Sequence, residues 1–264
     1  FQKTNNEKSN SIFMKRKIRD IKAEKKSGDS AIKIMRRVSG VIICAIVVFV
    51  ACVCFSTEKF SVTVGAKKDE PLYFGNRSSN KIALMFNCYE GADVILSISE
   101  LLEERNFRAT FFFGGCFADD NPDLIKRLYD RGHEIGNHGF FHKNQGKLGY
   151  EANVDEIKNT HDVILSMTGV DTILFAPPSG DFSATTIKAC RDLGYVMIMW
   201  SKDTIDWLDR TSKSVYNRAT KDIRGGDFVL MHPFSHTYEA LPSILDYYIK
   251  NGMTVTTVTD CLTK

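Results

Sequence analysis

No glycine-rich dinucleotide loop follows the first strand-like run of this sequence, and no pair of CxxC sequences has zinc-finger spacing. A Rossmann-type cofactor fold and a structural zinc module lose their usual signatures with those absences. Internal repeats and low-complexity segments are missing too. Six prolines and 18 glycines in 264 residues exclude a collagen-like chain, while 43% hydrophobic residues exclude a wholly disordered one. Net charge is nearly absent at +3, but the average conceals a division. Residues 1–37 carry 12 Lys/Arg against 4 Asp/Glu, or +8; residues 38–264 carry 23 against 28, or −5. The main body therefore lacks the clustered cations that a nucleic-acid partner requires. What remains is room for one large domain with a substantial apolar core.

Between Val38 and Phe55 lies VSGVIICAIVVFVACVCF, eighteen residues without charge or proline. At about 1.5 Å per residue it nearly spans a hydrocarbon core of roughly 30 Å. Lys33, Arg36 and Arg37 precede it, so the run reads as a single transmembrane helix with its N-terminal side cytoplasmic and the remaining chain outside. A buried core helix and a cleaved signal are the alternatives; the long charged region and the missing cleavage motif favour an uncleaved anchor. The organisation expected is a basic cytoplasmic tail (1–37), the membrane helix (38–55), a linker (56–80) and a folded domain (81–264). Cys88, Cys116, Cys190 and Cys261 lie in the domain without a disulfide-framework spacing.

From Lys81 the runs IALMF, ATFFF, HEIGN, ILFA, YVMIMW, DFVLMH and MTVTTV have strand length. Helix-length amphipathic stretches around 93–106, 121–131, 151–168, 183–193, 212–222 and 238–250 alternate with them. Strand followed repeatedly by helix predicts an α/β fold with parallel strands, about seven in a closed or nearly closed barrel. An open doubly wound sheet is the alternative. In a barrel, polar residues after the strands gather on one rim: Asn87, His138, His142, Asp203, Asp206 and His232 all occupy such positions.

His138 and His142, four residues apart past a strand, can bind one divalent ion through neutral imidazole nitrogens. By themselves they fit an ordinary surface or core pair equally well. His232 can serve as a general acid, or be a satisfied core histidine. One carboxylate of DTIDW, Asp203 or Asp206, can orient it; the same stretch also fits a loop with a helix cap. Trp207 offers an apolar wall or a face on which a sugar stacks.

IALMF with its polar sequel, RATFFFGGCF, NPDLIKRLYDRGHEIGNHGFFH, LFAPPSG, WSKDTIDW and LMHP occur in this order. Together they resemble the successive motifs of the polysaccharide deacetylase family, of NodB-homology fold, over roughly residues 80–262. Within that family the sequence resembles the membrane-anchored, sporulation-type peptidoglycan deacetylases. The resemblance implies a distorted (β/α) barrel with a divalent metal, zinc or cobalt, that removes N-acetyl groups from cell-wall glycan such as peptidoglycan. It implies metal binding by His138 and His142, and protonation of the leaving amine by His232, tuned by Asp206. Trp207, Leu230 and Pro178 are implied in the substrate pocket.

Two motifs depart from the family. Phe86 is followed by Asn87 and Cys88 where the family has two Asp, the catalytic base and a third metal ligand. An amide cannot accept the water proton. Cys88 can ligate zinc as a thiolate or simply be buried. Glu90 can replace the carboxylate or be an exposed turn residue. Ala176 stands where the family's base-orienting Arg would be. General-base catalysis contributes about 10²- to 10⁴-fold, or about 3 to 5 kcal/mol of barrier, so losing it cripples hydrolysis. A metal-dependent deacetylase and an inactive relative that binds glycan or organises an envelope complex are both compatible with these residues.

Overall fold

The first strand, β1 (Lys81–Cys88), is buried over all but its first residue. Such an unbroken apolar run suits a strand covered on both faces. It pairs in parallel with β2 (Thr110–Phe113) on one side and β7 (Phe228–Met231) on the other, while its first residues pair with β8 (Thr254–Thr256). The path through the sheet is β5 (Val196–Met197), β4 (Leu174–Phe175), β3 (Glu134–Asn137), β2, β1, β7 and β6 (Lys202–Asp203). Every ladder is parallel. This is an α/β fold consistent with a distorted barrel. The computed structural model describes residues 70–263, so the expected tail, membrane helix and most of the linker lie outside the described residues. Among the described residues no helix is long and apolar enough to cross a membrane.

The helices are α1 (Ala92–Glu104), α2 (Gly115–Asp120), α3 (Pro122–Asp130), α4 (Tyr150–Thr168), α5 (Ala184–Asp192), α6 (Ser212–Thr220), α7 (Ser235–Lys250) and α8 (Val258–Leu262). Six of them fall on the stretches expected from periodicity. The additions, α2 and α8, have six and five residues, too short for an amphipathic period to register. Strand β6 has only two residues, both partly exposed, and gives no apolar signal.

The two-residue period of the strands sorts their side chains onto two sides of the sheet. Ile82, Leu84, Phe86 and Cys88 join the core formed with α1 and α7. Ala83 and Met85 point the opposite way and pack with Phe112, Ala176 and Leu230. On β3, Gly136 lies on this second side beneath Phe112, whose Cδ1 is 2.4 Å from where a Cβ would stand. Only glycine leaves that ring its place.

The ends of the path, β5 and β6, do not pair with each other. An extended stretch ahead of β1 joins the chain after β5 to the chain ahead of β7. Leu72 bridges Ile198 in parallel, and Phe74 bridges Asp227 in antiparallel sense. Leu72 donates its N–H to the Met197 carbonyl at 2.9 Å and accepts from the Met199 N–H at 2.8 Å.

Candidate functional site

At the C-terminal ends of the strands opens a cavity of about 450 Å³, lined among others by Asn87, His138, His142, Trp207, Leu230 and His232. The alternation that sends Ala83 and Met85 inward also places Asn87 there, and Leu230 follows from the same rule on β7. Residues far apart in sequence thus converge because parallel strands end together.

His138 follows β3 directly. Its backbone N–H bonds the Phe113 carbonyl at 2.9 Å, and its Nδ1 lies 2.7 Å from the Ala176 carbonyl. A carbonyl only accepts, so Nδ1 carries the hydrogen and Nε2 keeps a lone pair. Burial, then the neighbouring His142, pushes its pKa down to about 3. His142 is lowered as well, chiefly by burial. The two rings lie 5.1 Å apart, and Tyr89 packs on His142 at 4.8 Å.

Between the two imidazoles the chain turns through Gly139 (φ 76°) and reaches His142 itself at φ 52°. Such a left-handed conformation is strained for a side-chain-bearing residue and must be held. Glu156 of α4 holds it: one carboxylate oxygen accepts the N–H groups of Phe140 and Phe141 at 2.9 and 2.8 Å. The other oxygen meets Lys143 Nζ at 3.0 Å. Sequence reasoning missed Glu156, although a signal existed. It shares the buried helical face of Asn153, Ile157, Thr160 and Ile164, where an unpartnered carboxylate would be costly.

Across the cavity, His232 Nδ1–H donates to Asp206 Oδ1 at 2.7 Å. Asp206 Oδ2 accepts the His232 backbone N–H at 2.7 Å and the Thr237 hydroxyl at 2.8 Å. Asp206 is fully buried, so three donors fix one carboxylate and the carboxylate fixes the ring. Of the DTIDW carboxylates, Asp206 is therefore the partner. Asp203 lines the cavity but accepts the Ile205 N–H at 2.8 Å. Trp207 is half-exposed on the cavity wall.

One open alternative is decided and one expectation is corrected. Cys88 does not join the histidines: β1 continues in register through residue 88, so the period turns the thiol into the helix-covered core. There its Sγ faces the Phe86 carbonyl, and burial raises its pKa well above the usual thiol range. Pro178 is buried in the short turn Pro178–Gly180 beneath Gly139, and its neighbour Ser179 takes the place on the cavity wall. Sequence reasoning did not single out Tyr89, Trp200 or Phe234, which also line the cavity; their aromatic character was the available signal.

Asn87 is 5% exposed, and its Oδ1 has no hydrogen-bond partner among the described residues. Glu90, the other candidate replacement for the family's base, is exposed on the cavity rim. A catalytic zinc site has three protein ligands. Among the described residues no three His, Cys, Asp or Glu side chains are grouped to hold an ion. Two imidazoles and a neutral, buried amide do not fit a resident zinc or cobalt ion.

Residues 74–198 match the polysaccharide deacetylase family. The chain is 31% identical over 202 residues to the peptidoglycan-N-acetylmuramic acid deacetylase PdaA of Bacillus subtilis, covering 74% of this chain and 76% of PdaA. It is 31% identical over 208 residues to the uncharacterized protein YlxY of the same species, covering 79% of this chain and 65% of YlxY. Among solved structures it is similar to a CE4 family pseudoenzyme from Bacillus anthracis, with 32% identity and a TM-score of 0.72, covering 74% and 69% of the two chains. A mutant of that pseudoenzyme with restored enzymatic activity gives 31% identity and the same TM-score, covering 74% and 72%.

Proposed function

Because the chain belongs to the polysaccharide deacetylase family, we propose that it is a cell-envelope member that keeps the family's glycan cleft and has lost the hydrolytic step. Asn87 carries this reading. An amide stands on the inward side of β1 where a base would have to accept the water proton, and its Oδ1 is left without a partner among the described residues. Ala176 is consistent with the same loss, since an Arg there without a carboxylate to pair with would be a buried unpaired charge. Similarity to a pseudoenzyme adds support.

The chain's own residues still perform the remaining tasks. Trp207 and Leu230 form apolar walls against which a sugar and its substituent pack. Asp206 holds the His232 ring in one orientation, with Nδ1 occupied and Nε2 free for the cavity. Glu156 keeps the His138–His142 turn closed. The apolar run at 38–55 and the basic residues before it support attachment to a bacterial membrane, with the domain on the outer side facing peptidoglycan.

The intact Asp206–His232 pair favours a second reading, an active N-deacetylase in which Glu90 serves as base. Acetate release from N-acetylated peptidoglycan, measured with added zinc or cobalt, separates the two. A silent chain that becomes active as the Asn87→Asp/Ala176→Arg double variant supports the first reading. Acetate release by the parent that is abolished by Glu90→Gln establishes the second.

A further inference from the structure

The charge and the hydrogen-bonding character of the cavity say which form of the sugar it suits. Among the described residues no Lys or Arg lines it, whereas two carboxylates, Glu90 and Asp203, do. His138, buried on the cavity floor, gives its one hydrogen to Ala176 and retains the Nε2 lone pair as an acceptor, while the Oδ1 of Asn87 is shut off from solvent and leaves its amide NH2 as a single neutral donor. Around these stand the rings of Trp200 and Trp207, whose faces attract cations, and Phe234, whose face already carries the Arg210 guanidinium at 6.0 Å. An acetamido carbonyl is best met by a strong donor or a cation, which a deacetylase obtains from its metal; here the neutral Asn87 amide is the weaker donor in its place. An ammonium group brings three donors and a positive charge, matching the His138 acceptor and the carboxylates.

We propose that the cavity holds the charged amine of a de-N-acetylated amino sugar, a glucosaminium unit in a glycan strand, in preference to its N-acetylated form. The chain is then a reader of the product that active relatives make. The inference rests on the reading that this cavity binds cell-wall glycan without hydrolysing it, and it adds the chemical state that is bound.

Calorimetric titration of the full chain, with a chelator present and at mildly acidic pH, compares glucosamine oligomers with N-acetylglucosamine oligomers of equal length. The expected result is affinity at least about tenfold higher for the amine, or about 1.4 kcal/mol, falling as salt is raised. Glu90→Gln and Trp207→Ala alter partly exposed side chains, so both variants are expected to fold and to lose most of this preference. Equal or tighter binding of the acetylated oligomer overturns the inference and leaves the glycan-binding reading standing. Amine binding unchanged in both variants also overturns it, since that is the general attraction of a polycation to an acidic surface. If neither oligomer binds, the glycan-binding reading falls, and the inference falls with it.

Discussion

Replacing Asp206 by alanine leaves three donors facing a void: the His232 backbone N–H, the His232 Nδ1–H and the Thr237 hydroxyl, each now 2.7 to 2.8 Å from a carboxylate oxygen. The hydroxyl can rotate toward another acceptor, but the backbone N–H cannot, and the imidazole moves only by giving up its orientation. Bonds to a charged acceptor contribute about 1.5 to 3 kcal/mol each, and breaking a buried charged network by removing one partner costs about 3 to 5 kcal/mol. For a folded part of roughly 200 residues, at about 2 to 4 °C per kcal/mol, Tm should fall by about 6 to 20 °C. Asp206→Asn should cost roughly half as much, because one oxygen can still accept while the new amide NH2 faces His232 Nδ1. That contact favours the other imidazole tautomer, moving the ring hydrogen to Nε2. Thermal unfolding measures the first effect and nitrogen NMR of the imidazole the second. If Asp206→Ala unfolds within about 1 °C of the parent, the carboxylate is not the anchor described, and the account of how the His232 ring is held is wrong.

Three further outcomes are expected. His133, buried and beside Arg108, has its pKa pushed down to about 4. It stays neutral in the fold while the unfolded chain takes up a proton below about pH 6.5, so stability is complete above that pH and falls by up to about 3 kcal/mol on acidification to about pH 4. Urea titrations across this window should show a slope that His133→Gln flattens; an unchanged slope would assign the acid sensitivity to other groups. Glu156→Ala should cost about 3 to 5 kcal/mol and speed hydrogen exchange at the Phe140 and Phe141 amides, with Glu156→Gln intermediate; exchange rates equal to the parent would show that the turn is held by something else. Gly136→Ala should cost about 1 to 3 kcal/mol in denaturant titrations, since its Cβ would stand 2.4 Å from a fully buried Phe112 ring; a neutral result would mean the ring yields freely.

Much of the site was legible because strand ends and polar residues coincide in the sequence. His138, His142 and His232 could be placed on one rim because each follows a strand-length apolar run, and all three line the cavity, with Asp206 buried behind His232. Cys88 was harder to place. Whether it faces the cavity or the helices depends on whether the strand stops at IALMF or keeps its register two residues longer, and no residue type between 86 and 88 marks that difference. The match to β2 through Phe113 decides it. Pro178 was misplaced for a related reason: in a tight turn, neighbouring residues face opposite ways, and the proline takes the buried side. The hydrogen bonds of Glu156 to the turn ahead of α4 are contacts across 15 and 16 residues, of which only the helical face could be inferred.

The stretch that runs from the end of β5 to the start of β7 has a mechanical meaning. With Leu72 bonded to the chain just after β5 and Phe74 bridging Asp227 just ahead of β7, tension arriving from the N-terminal side loads both contacts. The domain is thus fastened to whatever precedes it through its own sheet. Removing that fastening would uncover the edge of β5, and bare edges recruit other chains.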